Sequence, residues 1–110
     1  MTKTRAIALA ATLTALLAPV AAPAAGDPQQ GRYAAQTCLG CHAIPDYSNV
    51  YPSYKVPKVG GQHAQYIVSA LEAYRSGKRP HRTMQAQARA LTDQEIQDIA
   101  AYFASIDQPR

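Results

Sequence analysis

Cys38-Leu39-Gly40-Cys41-His42 is the stretch whose reading decides the fold. Two thiols separated by two residues, with a histidine directly after the second, form the attachment pattern for c-type haem. Each cysteine can add across a vinyl group of the porphyrin to give a thioether, and the adjoining imidazole is then held beneath the iron. These are the only two cysteines in 110 residues, so none is left over for a disulfide framework or a four-thiolate cluster. A redox-active Cys-x-x-Cys would need a thioredoxin-like strand before it, whereas an alanine-rich helical pattern precedes this one and a Pro- and Tyr-rich loop follows. A zinc site would take four nitrogen or sulfur ligands. Cys38 and Cys41 with two of His42, His63 and His81 could supply them, but not at the spacing of a familiar finger.

Upstream of the motif, Asp27-Pro28-Gln29-Gln30 reads as a helix start. Asp27 is the N-cap, Pro28 takes the first helical position and Gln30 is placed to reach back as in a capping box. The helix is expected to continue through Gly31, Tyr33, Ala34 and Ala35 toward Cys38; a glycine inside it costs up to ~1 kcal/mol relative to alanine. Downstream, from Ala43 to Lys58, Pro45, Pro52 and Pro57 with Asp46, Ser48 and Asn49 exclude a regular element. Tyr47, Tyr51 and Tyr54 decorate this loop, either walling a haem edge or packing the loop down. Gly60-Gly61 leads into a helix over about 62–76, with Tyr66, Ile67, Ala70, Leu71 and Tyr74 on one side and Gly77 ending it. The segment 78–84 is polar and irregular, with a short helix over 85–90. Thr92 as N-cap, Glu95 three residues on, and Ile96, Ile99, Ala100, Phe103 and Ile106 at helical spacing define the last helix. No period-2 pattern and no internal repeat is seen.

A haem iron held by one imidazole has a sixth position, whose occupant decides between electron transfer and ligand chemistry. Once an N-terminal export signal is removed, Met84 is the single methionine, placed by this reading in a loop between two helices. Arg82, Thr83, Gln85 and Gln87 around it offer no apolar stripe to join, which points to the sulfur as the ligand. His81, three residues away, is the competitor that would give bis-histidine ligation and a lower potential; His63 is the more distant one. The proximal imidazole also needs its other nitrogen fixed, and a carbonyl beside the rigid Pro57 could do it.

The chain opens on the basic Met1-Thr2-Lys3-Thr4-Arg5, runs without a charge from Ala6 to Val20, and offers a small-x-small cleavage site at Ala22-Pro23-Ala24. These are the parts of a secretory signal peptide, and the apolar run falls short of the ~20 residues that span a bilayer as a helix. The expected organisation is a signal at 1–24 and one domain at 25–110, in the periplasm, with no stable membrane span. Without Lys3 and Arg5 the domain carries nine Lys and Arg against seven Asp and Glu, a net charge of +2. That is too mild for a nucleic-acid partner. A domain of 86 residues gains only a few kcal/mol from its apolar core, and small scaffolds add a staple. A covalently held porphyrin would be one.

The residues resemble the class I cytochromes c, in particular the small bacterial periplasmic cytochromes of the c553 and c4 type. The resemblance is carried by Cys38 to His42; by Pro57-Lys58-Val59-Gly60-Gly61-Gln62; by Ala73-Tyr74-Arg75-Ser76-Gly77-Lys78-Arg79 followed by Met84; and by Leu91-Thr92-Asp93 through Ala100 to Ser105. It implies that the Pro57 carbonyl accepts from the His42 ring and that Met84 is the distal ligand. It also implies that the first and last helices cross at a right angle with Gly31 against Tyr102. Ala43, where many members have glycine, and the tyrosine-rich loop 44–56 depart from the pattern. The fold expected is all-α, three main helices and a short one around one haem c. The function expected is a monohaem electron carrier rather than an enzyme, monomeric or weakly associated, meeting redox proteins with acidic docking faces. The other classes are a haem-bearing subunit of a larger oxidoreductase, and a haem sensor or peroxidase-like protein with an open sixth site.

Overall fold

Asp27 starts the first helix, α1 (Pro28–Ala34): its carboxylate accepts from the Gln29 N–H at 2.8 Å, and Pro28 fills the first helical position. The computed structural model describes residues 25–107; the expected export signal at 1–24 lies outside the described residues. The second half of the expected capping box is made differently. The Asp27 N–H donates not to Gln30 but to the Asp98 carboxylate, 2.8 Å away and 71 residues on.

The single helix expected to run toward Cys38 is two. At Ala35, φ −81° and ψ 3° interrupt the helical backbone between α1 and α2 (Gln36–His42). Hydrogen bonds from Ala35 N to Gly31 O and from Leu39 N to Ala35 O carry the ladder across the junction. Ala35 is fully buried, so tertiary packing overrides the best helix former of all.

The segment expected to be irregular contains a minimal antiparallel hairpin, β1 (Ser48–Asn49) and β2 (Tyr54–Lys55), with Ser48 opposite Lys55 and Asn49 opposite Tyr54. A bond from Val56 N to Tyr47 O extends it by one pair, and the Asn49 side chain donates to Pro52 O across the turn. Prolines at 45, 52 and 57 flank the paired residues instead of occupying them, which is why so short a ladder survives among them.

Three helices complete the domain: α3 (Ala64–Arg75), α4 (Arg82–Arg89) and α5 (Asp93–Ser105). Gly77, at φ +80°, supplies the left-handed step after α3. At the start of α5, Thr92 Oγ1 accepts from Glu95 N and Glu95 Oε2 accepts from Thr92 N at 2.8 Å, the reciprocal box read from the sequence.

α5 packs against both α1 and α3, and α3 packs against α4. Its spacing buries Ile96, Ile99, Ala100 and Phe103, which meet Ala35, Ile67, Val68, Leu71 and Ala88 in one core. Among the described residues, Phe103, Ile96 and Ile99 are the large side chains withdrawn almost completely from solvent. Each contributes about 1.5–3 kcal/mol by burial, a small sum for a domain of this length. α1 reaches α5 through Gly31: a Cβ there would lie 2.8 Å from Tyr102 Cβ and closer still to the backbone carbonyl of Asp98. The contact with Tyr102 gives the glycine its reason, and the carbonyl of Asp98 makes it absolute.

Candidate haem-binding site

On α2, Cys38 and Cys41 are one helical turn apart and therefore on one face. Both are half-buried free thiols. Cys38 packs against the core, and burial pushes its thiol above the ordinary value, a hydrogen bond with Thr37 opposing this in part. The sulfur is thus held uncharged. Such surroundings disfavour a metal-bound thiolate and suit a neutral thioether.

His42 ends the same helix, and its Nδ1 lies 2.7 Å from the carbonyl oxygen of Pro57. A carbonyl only accepts, so Nδ1 carries the proton and Nε2 the lone pair that can bind a metal. The loop bearing Pro57 is itself pinned. Gly61, at φ +74°, donates its N–H to Phe103 O at the end of α5 at 2.8 Å, Gln62 N bonds Val59 O, and Val59 packs on the core.

Met84 is not in a loop. It occupies the third position of α4, which starts at Arg82 rather than at Gln85, and its side chain is half-buried against the same core. The polar neighbours that mark it out in the sequence lie on the exposed faces of this turn, at Arg82, Thr83 and Gln87. His81 is the N-cap: its Nδ1 accepts from the Met84 N–H at 3.3 Å. The His81 ring meets Tyr54 edge-on at 4.6 Å between centroids and Tyr74 at 6.2 Å. Tyr54 also donates its hydroxyl to Thr83 Oγ1 at 3.0 Å. His63 is exposed and precedes α3 without a side-chain cap bond. Among the described residues no three His, Cys, Asp or Glu side chains gather as a metal site, so the zinc alternative finds no support.

The role of His81 has no sequence signature, since histidine is not a favoured N-cap. Asp98 was missed as well, because a carboxylate facing Asp27 looks like one more polar residue on an amphipathic helix. Of the tyrosine loop, only Tyr54 is tied to the distal segment by a described hydrogen bond; Tyr51 is 95% exposed. The cations at 75–82 divide. Arg75 pairs with Asp93 at 2.6 Å and reaches Leu91 O. Arg79 lies over the Tyr74 ring and donates to the Tyr66 hydroxyl. Lys78 and Arg82 are exposed.

Cys38, Leu39, Val59, Tyr74, Met84 and Leu91 are all half-buried around one core, leaving apolar surface that a flat apolar group would cover. An imidazole nitrogen with a fixed tautomer and a thioether sulfur are donors that haem iron takes. The residues fit a covalently held haem.

Comparison with known proteins agrees with this chemistry. Residues 29–107 match the family model described as cytochrome c, and the chain belongs to that family. Its cofactor is haem c, covalently bound. The chain is similar to cytochrome c4 of Thiocapsa roseopersicina, 43% identical over 91 residues, covering 82% of this chain and 44% of the relative. It is also similar to cytochrome c-554(548) of Halomonas halodenitrificans, 39% identical over 84 residues, 74% of this chain and 98% of the relative. The chain thus spans less than half of the c4 protein and nearly all of the shorter one. Reduced cytochrome c4 from Pseudomonas stutzeri has the same fold, with a TM-score of 0.56 and 24% identity over 76% of this chain and 51% of that one.

Proposed function

We propose that this chain is a periplasmic single-electron carrier whose haem is attached through Cys38 and Cys41 and ligated by His42 and Met84. When bound, haem c supplies reversible one-electron chemistry at its iron. The protein's own residues do the rest. Cys38 and Cys41 fasten the group to α2, Pro57 holds the His42 ring in the tautomer that leaves Nε2 as the donor, and Met84 offers its sulfur from an ordered helical turn. The observation that carries this reading is the 2.7 Å approach of His42 Nδ1 to Pro57 O beside the two half-buried thiols. With imidazole and thioether both supplied by the chain, no position is kept for a substrate, which favours electron transfer over catalysis. Export of the domain is supported by the basic start, uncharged run and small-residue site of 1–24. Lys78 and Arg82 flank the distal turn and would steer an acidic redox partner toward it.

The test is spectroscopic. The ferric protein is expected to show a sulfur-to-iron charge-transfer band, and the ferrous protein to resist carbon monoxide. Met84→Ala is expected to lose the band, lower the potential and admit carbon monoxide. A band that survives this substitution removes Met84 from the iron, and one lost instead in His81→Ala transfers the role to His81.

A further inference from the structure

α4 has eight residues and a polar sequence, too short to stand alone, because isolated helices below ~12–15 residues are marginal in water. Its second half is anchored by the fully buried Ala88. Its first turn carries Met84, whose half-buried side chain packs on the core, beside a half-buried Gln85, and is met by Tyr54 and His81. The His81 ring lies between Tyr54 from the hairpin and Tyr74 from α3, and this orientation aims Nδ1 at the Met84 N–H, one of the donors a helix start leaves unsatisfied. Tyr54 holds the preceding residue through its hydroxyl on Thr83 Oγ1. Hairpin, cap and first turn form one clamp around the backbone of Met84.

We propose that Tyr54 and His81 are positioning residues for the axial methionine: the hairpin in the 44–56 loop latches the first turn of α4 and so keeps the Met84 sulfur from leaving the iron. The proposal rests on Met84 being the ligand. It assigns a task to the tyrosine-rich loop and to a histidine that would otherwise be read as a rival ligand. Neither residue touches the iron. Their effect is on the equilibrium between a turn held in place and a turn swung away, and an exogenous ligand that needs the vacated position measures that equilibrium directly.

The experiment titrates imidazole into the ferric holoprotein and follows loss of the charge-transfer band in the wild type, Tyr54→Phe, Thr83→Val, His81→Ala, His81→Asn and Met84→Ala. Tyr54→Phe keeps the ring on His81 and removes one hydrogen bond. Without imidazole it is expected to keep the band, and to bind imidazole about fivefold more tightly, the factor equivalent to ~1 kcal/mol. Thr83→Val is expected to have the same effect, with no further increase in the double variant. His81→Ala is expected to keep the band and bind imidazole at least fivefold more tightly, and His81→Asn, which can still cap, to fall between alanine and wild type. Met84→Ala is expected to lack the band from the start; if it retains it, the ligand assignment itself fails. If Met84→Ala lacks the band while Tyr54→Phe and His81→Ala take imidazole with wild-type affinity, the ligand stands and the latch is refuted. Additive effects of Tyr54→Phe and Thr83→Val would refute the link through Thr83.

Discussion

Replacing Gly31 by alanine adds one methyl group where two helices touch backbone to backbone. The new Cβ would lie 2.8 Å from Tyr102 Cβ, against the 3.5–4.0 Å at which carbon atoms rest, and nearer still to the Asp98 carbonyl. The carbonyl cannot rotate aside, being part of the α5 ladder, so α1 and α5 must part by about 1 Å or more. The bond from Asp27 N to Asp98 Oδ1 spans the same crossing at 2.8 Å and would be stretched beyond use. Overpacking costs about 1–3 kcal/mol and loss of a hydrogen bond to a carboxylate about 1.5–3 kcal/mol. The gain in helix propensity returns no more than ~1 kcal/mol. The net expectation is a loss of about 1.5–6 kcal/mol, or at least roughly 6 °C in Tm for a domain of this size. Thermal melts of the holoprotein, followed by far-ultraviolet circular dichroism, measure it. Gly40→Ala is the matched control: it lies in α2 with nothing within 4 Å of an added Cβ, so its stability is expected to be unchanged or raised by up to ~1 kcal/mol. A Gly31→Ala protein melting with the wild type would refute the claim that this contact sets the approach of the two helices.

Asp98→Ala leaves the Asp27 N–H and the Gln94 amide without their acceptor and is expected to destabilise the holoprotein by about 1–3 kcal/mol, read from denaturant midpoints at constant m-value. The Thr92 backbone N–H and hydroxyl hold the Glu95 carboxyl below its ordinary value. Its contribution to stability is therefore complete above that ordinary value and lost as pH falls through the depressed one. Glu95→Gln is expected to flatten the stability profile in that acidic window, measured by melts across a pH series. Lys78→Gln with Arg82→Gln is expected to slow electron transfer to an acidic partner at low ionic strength and to shrink the salt dependence without changing the spectrum. Stopped-flow rates across a salt series read both.

The features legible in the sequence are those that local chemistry fixes. The Asp27 and Thr92 caps, the Gly77 stop and the apolar spacing of α5 each depend on residues within a few positions of one another. What escaped depends on distant partners. The break at Ala35 follows from its complete burial, while its intrinsic preference argues for continuing the helix. The early start of α4 follows from a histidine cap steadied by rings at positions 54 and 74, separations that no local pattern reports. Gly31 sits between these cases: its cost in a helix was visible, while the carbonyl it admits was not.

The crossing of α1 and α5 joins the first and last elements of the domain, so its order of assembly is constrained by where its ends are. The contact from Asp27 to Asp98 closes a loop of 71 residues, at an entropic cost of about 4 kcal/mol before any packing offsets it. Contacts of such sequence separation form late and slow the folding of small domains. A chain emerging from its N-terminus would have both cysteines of α2 in hand long before α5 exists to bury Ala35 behind them. The attachment proposed at Cys38 and Cys41 therefore has an interval in which the pentapeptide is made and the last helix is not.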